Sequence, residues 1–237
     1  MTLKVYCDRM SEPSRAVLMF CKILGIDFEE CPVDVLKGQT YTPEYIAINP
    51  NSKVPAIADG EFKLYESHAI LIYLCCAYPG VASQWYPSDL FERSKIHSVL
   101  DWHHTNLRRT AVGLLLNTAL VALNPRPPSR QAAEEAEKLL LKSLSFIENV
   151  LLKDGRFLCG RSQPSIADIS FVCEIMELEL LLQEDHDRIF SPYKKVLQWV
   201  EDTKSATAPH FDDVHRDLYD QQKGYREMQQ QKLEKAN

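Results

Sequence analysis

The sequence predicts a small mixed α/β domain followed by a larger all-helical domain. Strand-like and helical segments alternate in the order βαβ, loop, ββα within the first eighty residues, and strand signals vanish after Ser88. Between the two patterns, residues 77–87 contain Pro79, Gly80 and Pro87, a composition typical of a linker. We therefore expect domains at residues 1–79 and 88–237, in a chain of 237 residues that is long enough for both.

The α/β pattern begins with a strand at Leu3 to Tyr6 and a helix from Pro13 to about Leu24, which Gly25 ends. A second strand over residues 28–33 completes a βαβ unit, so the first two strands should be parallel. A polar loop with a helical turn follows at residues 37–51. The remaining elements are a strand from Val54, a turn at Asp59-Gly60, a strand from Phe62 to Tyr65 and a helix opened by Glu66-Ser67.

The second half contains only helical patterns. A long helix begins at residues 87–89, and the proline-rich segment at residues 124–129 ends it. A second helix runs from about Arg130 to Leu152, a third follows the start signal at residues 164–168, and a fourth covers residues 192–203. The residues that we expect on the buried faces of the first two helices are Leu90, Ile96, Val99, Leu100, His103, Leu107, Leu114, Leu139, Leu140, Leu144, Ile147 and Leu151.

Charge and cysteine usage exclude several classes of protein. The net charge of −6 argues against nucleic acid or an acidic membrane surface as the main partner. Seven cysteines without a Cys-x-x-Cys pair disfavour a disulfide framework, a zinc ribbon and a dithiol redox site. No apolar run approaches transmembrane length. We expect a cytoplasmic protein, with nucleus and peroxisome not excluded, although the final Glu-Lys-Ala-Asn is not a peroxisomal signal.

Ser11 stands at the junction between the first strand and the first helix. A helix start presents unpaired N–H groups and the positive end of the helix dipole, so a hydroxyl there can meet an anionic ligand atom such as a thiolate. A free cysteine thiol titrates near ~8.5, and ~1.4 kcal/mol of stabilisation lowers that pKa by one unit. Alternatively, Ser11 simply caps the helix, with Pro13 in the first turn. An acyl-transfer nucleophile is not credible, because no Gly-x-Ser-x-Gly elbow surrounds it.

Two later motifs could hold the rest of such a ligand. Pro55 has no N–H and Val54 must be extended, so the Val54 backbone could pair with an extended peptide; an edge strand with a trans proline is the alternative. Ser67 could hold a carboxylate at a helix start and Glu66 an ammonium group, which together fit an amino-acid end. The alternative is a plain N-cap at Ser67 with an acidic residue in the first turn, which binds no ligand.

Asp101, His103 and His104 suggest a metal site by composition only. The pattern Asp-x-His-His has no fourth ligand nearby in the sequence, and His103 lies on an apolar helical face. Structural histidines are therefore expected rather than metal ligands. Ser165 and Asp168 fit a capping box and are interpreted as structural.

Six segments, taken in order, resemble the cytosolic glutathione transferases, and the theta class of plants in particular. The resemblance extends over nearly the whole chain, and its specificity comes from the order and spacing of the segments. It implies a thioredoxin-like N-terminal domain with a mixed four-stranded sheet, a helical C-terminal domain that carries the second-substrate site, and a homodimer. The segments are Ser11-Glu12-Pro13-Ser14-Arg15, Asn49-Pro50, Lys53-Val54-Pro55-Ala56, Glu66-Ser67-His68-Ala69-Ile70, Trp102-His103-His104-Thr105-Asn106-Leu107-Arg108-Arg109 and Gln163-Pro164-Ser165-Ile166-Ala167-Asp168.

The resemblance also implies roles for individual residues. Ser11 would stabilise the glutathione thiolate, Pro55 would be cis, and Val54 would pair with the cysteinyl part. Glu66 and Ser67 would hold the γ-glutamyl end. At the glycyl end, Thr40 departs from the histidine that animal theta members often have. The residues implied around glutathione are Ser11, Glu12, Thr40, Tyr41, Lys53, Val54, Pro55, Glu66, Ser67 and Arg108.

The implied activity is transfer of the glutathione thiolate to hydrophobic electrophiles, with reduction of organic hydroperoxides as a further activity and no metal. The second-substrate pocket would draw on Met10, the helix face at Trp102–Arg109 and the polar tail from Asp212. Two alternatives remain open. One is a non-catalytic binding protein with the same fold, and the other is a glutathione-dependent thiol oxidoreductase that uses Cys7.

Overall fold

One four-stranded sheet forms the core of the first half. A computed structural model describes residues 2–78, 80 and 83–236, so Pro79, Val81 and Ala82 of the expected linker lie outside the described residues. The strands are β1 (Leu3–Cys7), β2 (Phe28–Pro32), β3 (Ala56–Asp59) and β4 (Phe62–Tyr65), in the spatial order β2-β1-β3-β4. Strand β1 is parallel to β2 and antiparallel to β3, and β3 is antiparallel to β4. The predicted βαβ unit and hairpin are confirmed.

The third strand differs from the prediction. It begins at Ala56 rather than Val54, and it lies inside the sheet, between β1 and β4. Pro55 precedes the first ladder residue, so its missing N–H removes no ladder hydrogen bond. The Val54–Pro55 peptide is cis, as the resemblance implies. The alternative of an edge strand with a trans proline is wrong.

Helix α1 (Glu12–Ile23) is enclosed by other helices. It packs against α3 (Ser67–Ala77), α7 (Ile166–Glu177) and α10 (His210–Val214). Every residue from Ala16 to Cys21 is buried, which explains why the sequence is continuously apolar there instead of amphipathic. Gly25 follows with φ 64°, a left-handed conformation that suits glycine and ends the helix as predicted.

The predicted long helix of the second half is divided. Helix α4 (Leu90–His103) passes into a π-helical turn at His104–Arg108, and α5 (Arg109–Asn117) follows. Helix α6 (Arg130–Phe146) continues in the same way into a π-helical turn at Ile147–Leu151. A π-helical turn widens the helix locally and shifts the faces that follow it.

Two residues expected on the buried faces are exposed. Leu90 is 71% exposed because it is the first residue of α4, where neighbouring elements do not cover it. Leu139 is 38% exposed because it lies one residue, about 100°, away from the buried stripe of α6. The remaining residues expected on these faces are buried, namely Ile96, Val99, Leu100, His103, Leu107, Leu114, Leu140, Leu144, Ile147 and Leu151.

Asp168 organises the interior of the helical half. Ser165 caps α7, and the Asp168 carboxylate accepts the Ser165 N–H at 2.8 Å, which confirms the expected capping box. Trp199 on α9 (Lys194–Thr207) donates its Nε1–H to Asp168 Oδ1 at 2.8 Å. Burial raises the pKa of the Asp168 carboxyl, while these hydrogen bonds oppose the rise.

The chain between and after these helices is also helical. Helix α2 is Pro43–Ile46, α8 is Gln183–Phe190 and α11 is Arg216–Ala236. The polar tail therefore begins as part of α10 and continues as α11. Over the described ranges, every helix is too short or too polar to cross a membrane.

Candidate active site

Ser11 occupies the position before the first turn of α1, with an extended backbone (φ −87°, ψ 121°). Its N–H donates to the Asp8 carbonyl at 2.9 Å, and its own carbonyl accepts the Arg15 N–H at 3.0 Å. In the described part of the chain, its hydroxyl makes no capping hydrogen bond. The alternative that the Ser11 side chain merely caps the helix is therefore wrong. A partly exposed hydroxyl is left beside the helix-start N–H groups.

Two buried polar side chains hold the segment before β3. The Tyr45 hydroxyl and the Asn49 amide both donate to the carbonyl of Lys53, at 2.6 and 2.7 Å. Asn49 Oδ1 in turn accepts the Asn51 N–H at 2.9 Å. These bonds fix the chain on the N-terminal side of Val54, which lies outside the strand ladder. Sequence reasoning assigned Asn49 no role, although it belongs to the Asn49-Pro50 segment of the resemblance.

Glu66 adopts a backbone conformation that is unusual for its residue type. Its φ of 69° lies in the region that favours glycine, at a cost of about 1–3 kcal/mol. Glu66 occupies the N-cap position of α3, and Ser67 is the first residue of that helix. The alternative that Ser67 is a plain N-cap is therefore wrong, because the N-cap residue is Glu66, one position earlier. Asn51 Nδ2 donates to Glu66 Oε1 at 3.5 Å.

A buried charge network joins α1 to the helical half. Arg108, presented by the π-helical turn, forms an ion pair with Glu12 and lies 3.1 Å (Nη1 to Oε2) from Glu174. Arg15 forms an ion pair with Glu177, and both of these side chains are buried. The network thus contains three carboxyl groups and two guanidinium groups.

The surplus carboxyl group has a consequence for protonation. Burial raises the pKa of Glu174 well above its ordinary value, the charge of Glu12 adds to the rise, and Arg108 opposes it. Burial likewise raises the pKa of Glu177 to about 7, against the attraction of Arg15. Burial disfavours the charge of Arg108, but Glu12 and Glu174 outweigh it and raise its pKa. Both shifts favour the protonated form of a carboxyl group in the network.

A cavity of about 210 Å³ lies between the two halves. The lining brings together seven of the ten residues expected around a ligand: Glu12, Lys53, Val54, Pro55, Glu66, Ser67 and Arg108. Ser11, Thr40 and Tyr41 are not among the described lining residues. Ser11 adjoins the lining residue Glu12, whereas Thr40 is 2% exposed and Tyr41 is 72% exposed.

Several lining residues were missed by the sequence reasoning. Ser170 and Glu174 belong to α7, whose twelve residues are all buried, so periodicity could not indicate which of them face a cavity. A charged residue within that apolar segment was the available signal. The lining residues without an expected role are Pro13, Asn49, Ser170 and Glu174, whereas His103 and His104 belong to the Trp102–Arg109 segment that was expected at the second-substrate pocket.

Cys7 does not provide an accessible thiol. It is 1% exposed within β1, and burial raises the pKa of its thiol. A nucleophilic cysteine needs thiolate character and access to its substrate. The geometry therefore disfavours the thiol oxidoreductase that was left open above.

Known proteins resemble this chain in sequence and in architecture. Residues 1–75 match the family model of the glutathione S-transferase N-terminal domain, and residues 130–202 match that of the C-terminal domain. Glutathione S-transferase T1 of Arabidopsis thaliana is 56% identical over 226 residues, which cover 95% of this chain and 92% of the relative.

Solved structures of human theta-class enzymes show the same similarity in their folds. Human glutathione transferase theta-2, in a complex with glutathione and an unknown ligand, superposes with a TM-score of 0.86 at 31% identity, covering 95% of this chain and 91% of the other. A human theta-class enzyme in complex with the glutathione conjugate of 1-menaphthyl sulfate gives a TM-score of 0.83 at 30% identity, over 100% and 92% of the two chains. The chain therefore belongs to the glutathione S-transferase family, as a theta-class transferase whose co-substrate is glutathione.

Proposed function

We propose that glutathione lies extended along this cavity and that its sulfur reaches the Ser11 hydroxyl, which holds it as a thiolate. The observation that carries the proposal is the Ser11 hydroxyl, which is not used for capping although it stands at the start of α1. A hydrogen bond from the hydroxyl and the positive helix end both favour the charged form of a thiol. The thiolate then attacks a hydrophobic electrophile.

The rest of the cavity supports this pose of glutathione. Val54 lies outside the ladder, which leaves its backbone N–H and carbonyl available for the cysteinyl residue and supports this pose. Ser67 at the start of α3 suits the γ-glutamyl carboxylate, and Glu66 suits the γ-glutamyl ammonium group. Lys53 suits the glycyl carboxylate, and Thr40 and Tyr41 belong to the 3₁₀ turn at Gln39–Tyr41 that would flank that end.

Organic hydroperoxides form a second substrate class in this proposal. The Ser11-bound thiolate attacks a peroxide oxygen, the O–O bond breaks, and an alcohol leaves after protonation. The sulfenic acid of glutathione then reacts with a second glutathione to give the disulfide and water. The same thiolate thus serves conjugation and peroxide reduction. The second-substrate pocket would draw on Met10, the Trp102–Arg109 segment and α11.

The test of Ser11 is the variant Ser11→Ala, assayed with cumene hydroperoxide and with an alkyl halide. We expect turnover of both substrates to fall by about 10²-fold, the scale on which a hydrogen-bond donor to a reacting anion contributes. The matched control is Ser129→Ala, since Ser129 does cap its helix, α6, and accepts the Ala132 N–H at 3.3 Å. Ser129→Ala should retain turnover. Full turnover in Ser11→Ala would overturn the role of Ser11.

The same assays discriminate between an enzyme and a non-catalytic binding protein. Retention on a glutathione affinity column without turnover over a panel of hydroperoxides and alkyl halides would favour the binding protein. Turnover of halides alone would remove the peroxidase activity from the proposal and keep the conjugation.

We also propose a homodimer in a reducing compartment such as the cytoplasm. Leu90 and Phe91, at the start of α4, are 71% and 79% exposed, and apolar surface of this kind supports a subunit contact. All seven cysteines are free thiols, which suits a reducing compartment. Light scattering of wild type and of Phe91→Glu tests the dimer, and an unchanged mass in the variant would exclude this surface.

A further inference from the structure

Three histidines meet beside the cavity, and two of them, His103 and His104, line it. His68 lies in the first turn of α3, His103 is the last residue of α4, and His104 begins the π-helical turn. One ring nitrogen from each lies within 4.8 Å of the others. The ring centroids of His68 and His104 are 4.2 Å apart, and those of His68 and His103 are 5.3 Å apart. The sequence offered only His103 and His104 as neighbours, and the fold adds His68.

The surroundings of the three rings disfavour a positive charge on them. Burial lowers the pKa of His68 to about 3 and the pKa of His103 well below its ordinary value. Burial also lowers the pKa of His104, and Arg108 adds to this effect, while Glu66 and Asp101 oppose it. Neutral imidazole has a ring nitrogen with a free lone pair at pH 7.

The buried rings have the surroundings of metal ligands. His68 Nε2 lies 2.8 Å from the Ser170 hydroxyl, and His103 Nε2 lies 3.6 Å from Glu174 Oε2. In metal sites one nitrogen of a histidine faces an oxygen of this kind and the other binds the ion. Among the described residues, neither ring nitrogen of His103 has a hydrogen-bond partner, although the side chain is only 3% exposed. A buried ring without partners is costly unless something else binds it.

We propose that His68, His103 and His104 bind one divalent transition-metal ion of the zinc type, with a fourth coordination position open to the cavity. Three imidazoles and one open position form a recognised zinc set, with Zn–N distances of about 2.0–2.1 Å. A tetrahedral ion with such bonds needs its nitrogens about 3.3 Å apart. Rotation of His104, which is exposed, can shorten the distances from its ring nitrogen to the other two nitrogens. The carboxylates of Glu66 and Asp101 favour the ion, and Arg108 opposes it.

The position of the site gives the ion a regulatory effect. His103 and His104 line the same cavity as Glu66 and Ser67. An ion at the histidines therefore occupies the end of the cavity assigned above to the γ-glutamyl group, and it excludes glutathione. This competition rests on the proposed function, whereas the metal site itself does not. The ion would therefore act as an inhibitor of transfer.

Cobalt(II) titration of the full chain, without glutathione, tests the site through its visible absorption. We expect one equivalent bound by wild type and by the control His210→Ala, which removes a histidine outside the cluster. His104→Ala removes the exposed ligand and should weaken cobalt binding by at least about tenfold. Ser170→Ala removes the hydroxyl that faces His68 and should weaken cobalt binding by about 10–100-fold. Unchanged binding by His104→Ala would overturn the site. A thiolate-to-cobalt charge-transfer band would also overturn it, because it would assign the ion to cysteines.

The competition has a separate test with S-methylglutathione, whose thioether does not sequester zinc as a thiolate would. Binding of this ligand to wild type, measured by calorimetry, should weaken severalfold when Zn²⁺ is added. Binding to His104→Ala should be insensitive to Zn²⁺. If cobalt binds at the histidines but S-methylglutathione affinity stays constant in wild type, the inhibition is wrong and the metal site stands. If S-methylglutathione does not bind without metal, the proposed glutathione pose fails instead.

Discussion

The two walls of the cavity are made of different kinds of groups. The wall from the α/β half presents backbone and hydroxyl groups at Val54 and Ser67, supported by the hydrogen bonds of Asn49, and its charged side chains Lys53 and Glu66 are exposed. The helical wall presents titratable side chains, among them Arg108 and Glu174. The first wall can recognise a peptide at any ordinary pH. The second depends on which of its buried groups carry protons, so the two walls should respond differently to mutation and to pH.

The largest effect is expected where a buried charge loses its partner. Arg15 is fully buried, pairs with Glu177, and donates to the carbonyls of Arg9 and Met10 beside Ser11. Arg15→Leu should lower the free energy of unfolding by about 3–5 kcal/mol, measured by urea unfolding, because it leaves the buried carboxyl group of Glu177 without its partner. The control Arg130→Leu removes an exposed ion pair with Glu134. It should change the free energy of unfolding by less than about 1 kcal/mol. Equal effects of the two variants would contradict the contrast between buried and exposed pairs.

The next largest effect is expected in the pH dependence of stability, which should come from the helical wall. The folded-state pKa of Glu177, about 7, lies above its ordinary value of 4.5, so the fold favours the protonated form. Its contribution is fully present below about pH 4.5 and is lost as the pH rises through about 7, by up to about 3 kcal/mol. In denaturant unfolding, wild type should therefore lose stability relative to Glu177→Gln over this window. The unfolding free energy of the exposed control variant Glu135→Gln should change with pH as that of wild type does. A gain in wild-type stability relative to Glu177→Gln as the pH rises would refute the prediction.

A smaller effect is expected from the wall of the α/β half. Asn49→Ala removes the donor to the Lys53 carbonyl and the acceptor for the Asn51 N–H. We expect a loss of about 1–3 kcal/mol in unfolding free energy and a raised KM for glutathione, with little change in the shape of the pH profile. Asn149→Ala, on an exposed helix surface, is the control and should leave KM unchanged. A pH profile altered by Asn49→Ala would contradict the expected difference between the two walls.

The smallest effect compares two serines at helix starts. Ser129→Ala should lower the unfolding free energy by about 1 kcal/mol, because that hydroxyl caps α6. Ser11→Ala should change it by no more than about 0.5 kcal/mol, because the Ser11 hydroxyl makes no capping bond within the described residues. Thermal or urea unfolding of the two variants checks the difference. A larger loss in Ser11→Ala would mean that Ser11 serves stability rather than the ligand.

Much of the fold could be predicted because its signals are local. The parallel pairing of β1 with β2 follows from the length and composition of residues 3–33, and the capping box of α7 follows from Ser165 and Asp168. The division of the long helix at residues 104–108 could not be predicted, because a π-helical turn leaves the hydrophobic pattern almost unchanged. Leu139 was misplaced for a related reason, since it differs from Leu140 only by one step around the helix.

The sequence by itself determined the order of the elements, the family, and the motifs of the α/β wall. Those motifs act through backbone conformation over a few consecutive residues, as at Val54-Pro55 and Glu66-Ser67. Only the tertiary structure decided the helical wall. Glu12, Arg108 and Glu174 are far apart in the chain, and so are His68 and His103, so their contacts and their shifted pKa values depend on how α1, α3, α4 and α7 pack. Burial and the proximity of charges are properties of that packing, and no local pattern contains them.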